Sequence, residues 1–298
     1  MTSTPVIGFL GLGHMGRPMA LNLQKAGFEL KVFDVMPEAV QAAAEAGLPV
    51  AASGAEAASG VDIVLTMFPA GQHVLDAYRG YLLEAAAPGT LFLECSTIDV
   101  AQAREAAQLA LAAGHRSADA PVSGGVVGAE AGTLAFMVGA EEADMEEITA
   151  VLEHMGRRIV HCGGHGAGQA AKICNNMLLG ISMIGAAEAF VLGERLGLEH
   201  QALYDVISAA SGQCWAVTTN CPVPGPVPVS PANRDYEPGF AAALMAKDLG
   251  LASSALEMTG TDAQLGALAS GLYAKYRDAG HGGVDFSGII NAIRDGRL

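Results

Sequence analysis

The sequence predicts a doubly wound α/β domain followed by an all-helical C-terminal domain, and three observations point to it. Short apolar runs of strand length alternate with helical stretches through the first half, the pattern of parallel strands joined by covering helices. A glycine-rich stretch, Gly163-Gly164-His165-Gly166-Ala167-Gly168, ends that alternation and reads as a flexible connector. Beyond it a long helical run emerges, and no later segment has strand character. The 298 residues suffice for two ordinary domains, each with its own core, and the expected division is 1–164 and 165–298.

Taken in order, Val6 to Leu10 is the first strand, and Gly11-Leu12-Gly13-His14-Met15-Gly16 turns the chain into a helical run from His14 to Ala26. Glu29 to Phe33 is the second strand and ends at Asp34. Pro37 to Ala46 has helical character, with Gly47 placed as its C-terminal cap. Ile63 to Met67 and Leu91 to Cys95 follow as strands, closed by Thr66-Met67-Phe68-Pro69 and Cys95-Ser96-Thr97-Ile98. Val100 to Ala113 is helical with Gly114 as its cap, and Arg116 to Ala120, Leu134 to Val138 and Arg158 to His161 complete the strands. The second domain opens with the run from Gln169 to about Leu196. It continues with helices at Gln201 to Ala210, Ala241 to Met258, Asp262 to Asp278 and Phe286 to Ile293. Between Cys221 and Pro231 five prolines forbid helix and give an extended loop.

Composition narrows the function classes. Hydrophobic residues make up 51% of the chain and charged ones 16%, which excludes a disordered chain. The net charge of −15 argues against phosphate backbones and anionic bilayers, so neither nucleic acid nor a membrane is an expected partner. Ile173 to Leu192 has the length of a membrane span but carries Asn175, Asn176 and Glu188, and reads as a helix buried in protein. It is apolar on too many faces for a monomer, which predicts a homodimer or homotetramer. Cys95, Cys162, Cys174, Cys214 and Cys221 are odd in number and form no C-x-x-C pair, the usage of a reduced, cytoplasmic protein. Only four residues precede the strand-like run that begins at Pro5, so no leader peptide is expected. His161, Cys162 and His165 lie close together without a fourth ligand at a familiar spacing, and no metal is expected.

The glycine turn carries chemistry because of its context. It follows a strand and opens a helix, where Gly11 permits the tight turn, Gly13 admits a pyrophosphate to the backbone and Gly16 lets helix and strand pack closely. The helix N-terminus adds partial positive charge, with Leu12, His14 and Met15 completing the loop. Asp34 stands at the end of the second strand, roughly 20 residues on, where a carboxylate accepts hydrogen bonds from both ribose hydroxyls. Val35, Met36 and Pro37 offer no cation for a 2′-phosphate. The domain is therefore read as Rossmann-type, with NAD favoured over NADP. Phe68, Pro69 and Thr97 fall at strand ends, where ligands bind in open sheets.

Gly168, Lys172 and Asn176 recur every four residues at the start of the long helix and share a face, with Asn175 beside them. Their surroundings are apolar, so a lysine and two carboxamides there need partners. Gly164, Gly166 and Gly168 are read as leaving room for a substrate. A lysine so placed would take the hydroxyl proton as hydride leaves carbon. Ser123 and the N–H groups of Gly124 and Gly125, after the strand ending at Ala120, form a candidate nest for a carboxylate.

Four separated motifs, in this order, resemble the β-hydroxyacid dehydrogenase family over nearly the whole chain. They are Gly8-Phe9-Leu10-Gly11-Leu12-Gly13-His14-Met15-Gly16, Asp119 to Gly125, Gly164 to Asn176, and Lys247-Asp248-Leu249. The resemblance implies Lys172 as the catalytic residue, with Ser123, Gly124 and Asn176 contacting substrate. It also implies that Lys247, Phe68, Pro69 and Thr97 contact the cofactor. Ala170 to Leu179, Ser211-Gly212-Gln213-Cys214-Trp215 and Pro222-Val223-Pro224-Gly225 resemble the branch that oxidises 3-hydroxyisobutyrate to methylmalonate semialdehyde in valine breakdown. An apolar Trp215 suits a methyl-bearing substrate, whereas a phosphosugar would call for basic residues. Mitochondrial members carry an N-terminal extension that is missing here, which points to a bacterial cytoplasmic version. Two other readings stand beside this one. A sister enzyme such as a tartronate semialdehyde reductase would keep every catalytic motif, whereas a nucleotide-binding scaffold would have no use for Lys172 and Asn176.

Overall fold

A computed structural model describes residues 4–298. The chain divides into two compact units, one ending at Lys172 and the other running from Ile173 to Leu298. The division falls inside a helix.

In the first unit β1 (Val6–Leu10), β2 (Glu29–Phe33), β3 (Ile63–Thr66), β4 (Leu91–Glu94), β5 (Arg116–Asp119), β6 (Val122–Ser123), β7 (Leu134–Gly139) and β8 (Gly156–Gly163) form one sheet. Its order is β2-β1-β3-β4-β5-β7-β6, with β8 paired to β7. Side chains alternate across the pleat. Ile7, Phe9, Ile63, Leu65, Leu91 and Leu93 point into one core, whereas Leu10, Val64 and Phe92 point into a second core on the opposite face. The helices that cover these faces are α1 (Gly16–Lys25), α2 (Pro37–Glu45), α3 (Gly54–Ala58), α4 (Gly71–Ala77), α5 (Leu83–Ala85), α6 (Val100–Ala112), α7 (Gly125–Ala131) and α8 (Met145–Leu152).

Strand register places the site. Leu10 stands opposite Phe33 and Thr66, Thr66 opposite Glu94, and Glu94 opposite Asp119. The carboxyl ends of five parallel strands thus lie on one rung, and the loops that follow open along one edge of the sheet.

The sheet departs from the expected all-parallel pattern at β7, which runs antiparallel to β5 and β6. The cause is the connection: α7 has seven residues, about 10 Å of rise, too short to return the chain along the sheet. β7 therefore starts where β6 ends and runs back, and β8 pairs parallel to it.

The second unit is helical. It holds most of α9 (Ala167–Arg195), with α10 (His200–Ala209), α11 (Trp215–Thr218), α12 (Ala242–Thr259), α13 (Gln264–Tyr276) and α14 (Ile289–Arg294). By length and composition α9 would cross a membrane, yet half of its most apolar window is buried inside the protein. Met183, Ala187 and Phe190 of α9 pack with Met245, Tyr273 and Phe286 in the core of this unit. The proline-rich segment is held by Ser230, whose hydroxyl donates to the Cys221 carbonyl, by Asn233, which accepts from Gly225 N–H and donates to the Val227 carbonyl, and by Tyr236, whose hydroxyl donates to the Pro222 carbonyl. All five cysteines are free.

Candidate active site

The glycine turn sits on the shared edge. A Cβ at Gly11 would lie 2.2 Å from the Met67 carbonyl oxygen, and one at Gly16 would lie 1.8 Å from that of Gly11, so glycine is required at both by packing. Gly11 also has φ +96, open to glycine and strained for other residues. Gly13 has nothing within 4 Å of its Cβ position, which leaves the backbone open to an approaching ligand. α1 begins with no side-chain cap at Met15 and no acidic residue in its first turn, an end that favours an anion. The Asp34 carboxylate closes the turn: Oδ2 accepts from Leu12 N–H at 2.6 Å and Oδ1 from Met36 N–H at 2.8 Å. An open backbone, an uncapped helix and an adjacent carboxylate together fit the pyrophosphate and ribose of a dinucleotide.

The next two strand ends are tied together. Phe68 N–H donates to Ser96 Oγ at 2.7 Å, and Ser96 N–H donates to Glu94 Oε1 at 2.8 Å. Glu94 is buried, and burial, added to by the neighbouring Asp119 carboxyl, raises its pKa to about 7 despite its hydrogen bonds from Ser96 and Thr66. Thr97 is half-buried between buried Ser96 and Ile98, and Pro69 is exposed.

α9 is docked on this edge by Asp119. Its Oδ1 accepts from Gly166 N–H at 2.6 Å and its Oδ2 from Gln169 N–H at 2.8 Å, while burial pushes the carboxyl pKa up. Three residues on, Lys172 is 6% exposed and its Nζ donates to the Val122 carbonyl at 2.9 Å. Val122 precedes Ser123, Gly124 and Gly125, and the two glycines have φ 134 and 62, so only glycine fits this turn comfortably. The structure thus brings the lysine and the serine–glycine turn to one place.

Two of the three glycines at the start of α9 act differently from the sequence reading. A Cβ at Gly168 would lie 2.2 Å from the Met137 carbonyl oxygen, and one at Gly166 would lie 2.8 Å from the Arg104 side chain. Their space is filled by the sheet and α6, so they let α9 approach the strands rather than admit a substrate. Only Gly164 of the three has open space around it. His161 and His165 bond the carbonyls of Ala140 and Ser117.

In the helical unit Asn176 is 2% exposed, and its Nδ2 donates to Asp248 Oδ2 at 2.5 Å. Its Oδ1 accepts from the exposed Asn175 at 2.9 Å. Lys247, half-buried beside Asp248 on α12, is not the exposed helix charge that the residues alone suggest. Trp215 begins α11 with half of its surface exposed. Sequence reasoning passes over Gln169 and Glu94. The available signal was a long polar side chain in an apolar helix and an acid closing an otherwise apolar strand.

Residues 6–164 match the family model described as the NAD binding domain of 6-phosphogluconate dehydrogenase. Residues 166–293 match the one described as NAD-binding of NADP-dependent 3-hydroxyisobutyrate dehydrogenase. A Mycobacterium tuberculosis protein named probable 3-hydroxyisobutyrate dehydrogenase is 54% identical over 288 residues, 97% of each chain. A Pseudomonas aeruginosa NAD-dependent L-serine dehydrogenase is 48% identical over 291 residues, again 97% of each. The solved structure of Mycobacterium tuberculosis 3-hydroxyisobutyrate dehydrogenase with L-serine has a TM-score of 0.96 at 53% identity, covering 98% of this chain and 100% of that one. Matched in both halves and along its full length, the chain belongs to the β-hydroxyacid dehydrogenase family, with an NAD-binding Rossmann-like domain followed by a helical one.

Proposed function

We propose that the chain oxidises 3-hydroxyisobutyrate to methylmalonate semialdehyde with NAD, in the valine breakdown of a bacterial cytoplasm, and that Lys172 moves the proton. The observation that carries this reading is the buried Lys172 Nζ held 2.9 Å from the Val122 carbonyl, beside the Ser123-Gly124-Gly125 turn. The name of the Mycobacterium relative supports the substrate.

Gly11, Leu12, Gly13, His14, Met15 and Gly16 would hold the pyrophosphate at the N-terminus of α1, and Asp34 the adenosine ribose. Phe68, Pro69, Thr97 and Lys247 would contact the rest of the dinucleotide. Bound NAD supplies the acceptor for the hydride that leaves the substrate carbon. The Ser123 hydroxyl and the N–H groups of Gly124 and Gly125 hold the substrate carboxylate. Lys172 Nζ, in its uncharged form, takes the hydroxyl proton as the C–H bond breaks, and in reverse its ammonium form returns that proton to the carbonyl oxygen. Asn176, one helical turn further along α9, orients the hydroxyl, and Trp215 supplies apolar surface for the methyl group.

A second reading, oxidation of L-serine, is favoured by the Pseudomonas relative, named an NAD-dependent L-serine dehydrogenase, and by the L-serine of the Mycobacterium structure. The two acids share the 3-hydroxyl and the carboxylate and differ at C2, methyl against ammonium. Comparing kcat/KM for 3-hydroxyisobutyrate, L-serine, glycerate and 3-hydroxypropionate, each with NAD and NADP, separates them. The highest value is expected for 3-hydroxyisobutyrate with NAD; preference for L-serine moves the substrate and leaves the mechanism. Lys172→Ala is expected to lower kcat by about 10²–10⁴-fold with NADH binding retained, and a kcat near wild type overturns the role of the lysine.

A further inference from the structure

We propose that Gln169 is a positioning residue of this dehydrogenase. Its carboxamide fixes the backbone on both sides of Thr97 and so sets the separation between the cofactor-facing loop and the proton-transferring lysine. The proposal rests on the functional reading above, in which Thr97 faces the cofactor and Lys172 moves the proton.

Gln169 is fully buried in the first turn of α9. Its Nε2 donates to the Ser96 carbonyl at 2.7 Å, and its Oε1 accepts from Ile98 N–H at 3.2 Å. Those two groups bracket Thr97, the one residue of the three that is not buried. A primary carboxamide presents a donor and an acceptor side by side, so it holds the loop as a neighbouring strand would and leaves neither backbone group unpaired. Its own backbone N–H donates to Asp119 at 2.8 Å, so the residue that grips the loop is itself anchored to the end of β5.

The loop is held from its other side as well. Ser96 bonds Glu94 through its N–H and Phe68 through its Oγ. The two candidate cofactor loops, the strand ends and the first turn of α9 therefore form one hydrogen-bonded frame. Lys172 lies three residues along the same helix, about 4.5 Å of rise, and is tied to the Val122 carbonyl. Asparagine at this position is one methylene too short to span Ser96 and Ile98. Glutamate would set an oxygen against the Ser96 carbonyl, and leucine would fill the volume while leaving both backbone groups unpaired.

The test is a double-mutant cycle. Single-turnover NADH formation, with whichever hydroxy acid turns over fastest, is measured for wild type, Gln169→Leu, Lys172→Ala and the double variant. NADH affinity and urea midpoints are measured beside it. Gln169→Leu is expected to slow the wild-type turnover by about 30- to 100-fold, the scale of a misplacement near 1 Å, while NADH binding weakens less than about 5-fold. In the Lys172→Ala background the same change is expected to cost less than about 3-fold, because the group it positions is gone. Equal losses in both backgrounds, or a wild-type rate in Gln169→Leu, overturn the proposal alone. A wild-type rate in Lys172→Ala removes the functional reading and this proposal with it. If Gln169→Leu is insoluble, Gln169→Glu carries the same comparison; it keeps the acceptor for Ile98 and loses the donor to Ser96, with about a 10-fold loss expected in the Lys172 background that nature provides.

Discussion

Asp34 turns both carboxylate oxygens to backbone N–H groups, which pins a negative charge at the mouth of the glycine turn. A 2′-phosphate placed there would meet a like charge, and Val35, Met36 and Pro37 offer no cation to offset it. Asp34→Asn keeps the shape and removes the charge, so the ratio of kcat/KM with NAD to that with NADP is expected to fall by about 10-fold or more; an unchanged ratio sinks this role for Asp34. Residues of this kind are readable from sequence because the strand, the glycine spacing and the acid lie within one short stretch. Lys172 is readable for another reason, since a charge in an apolar helical run demands an explanation. Gln169 and Glu94 are not readable, because their meaning depends on distant partners. Gln169 meets Ser96 across 73 positions, and Glu94 meets Asp119 only through strand register. The serine–glycine turn was readable as a candidate nest, but its meeting with Lys172 required the fold.

At the scale of elements, the strands and long helices follow their hydrophobic periods, and the errors gather where elements are short. α3, α4, α5, α7, α8 and α11 have between three and eight residues, too few turns for a helical period to stand out. The reversal at β7 has the same origin, since the direction of a strand depends on how far its connection can carry the chain. The glycine-rich stretch was misread because glycine marks both flexibility and close approach, and sequence does not separate the two. Gly168 serves close approach, and this has a measurable cost: Gly168→Ala is expected to destabilise the protein by about 1–3 kcal/mol by forcing α9 from the sheet. A urea midpoint equal to wild type would show that the helix has room to spare.

For the whole molecule, pH is the lever that the buried carboxyls provide. Glu94 and Asp119 stand opposite each other on adjacent strands, both buried. Because the folded-state pKa of Glu94 is raised, folding favours its protonated form. Its contribution to stability is fully present below the unfolded value of 4.5 and is lost as pH rises through about 7. Glu94→Gln, neutral throughout, is expected to lose less stability across that window, by on the order of 2–3 kcal/mol relative to wild type. Urea denaturation on either side of the window decides it, and parallel slopes for the two proteins refute the assignment. The frame around Lys172 also has a direction in time. The hydrogen bonds described for Gln169 and Lys172 reach back to Ser96, Ile98, Asp119 and Val122, all earlier in the chain. They close loops of 50 to 73 residues, and each doubling of such a loop adds only about 0.6 kcal/mol of closure entropy. During synthesis, this corner of the sheet unit therefore has every one of those partners in hand once the first turns of α9 have emerged, while the helical unit is still being made.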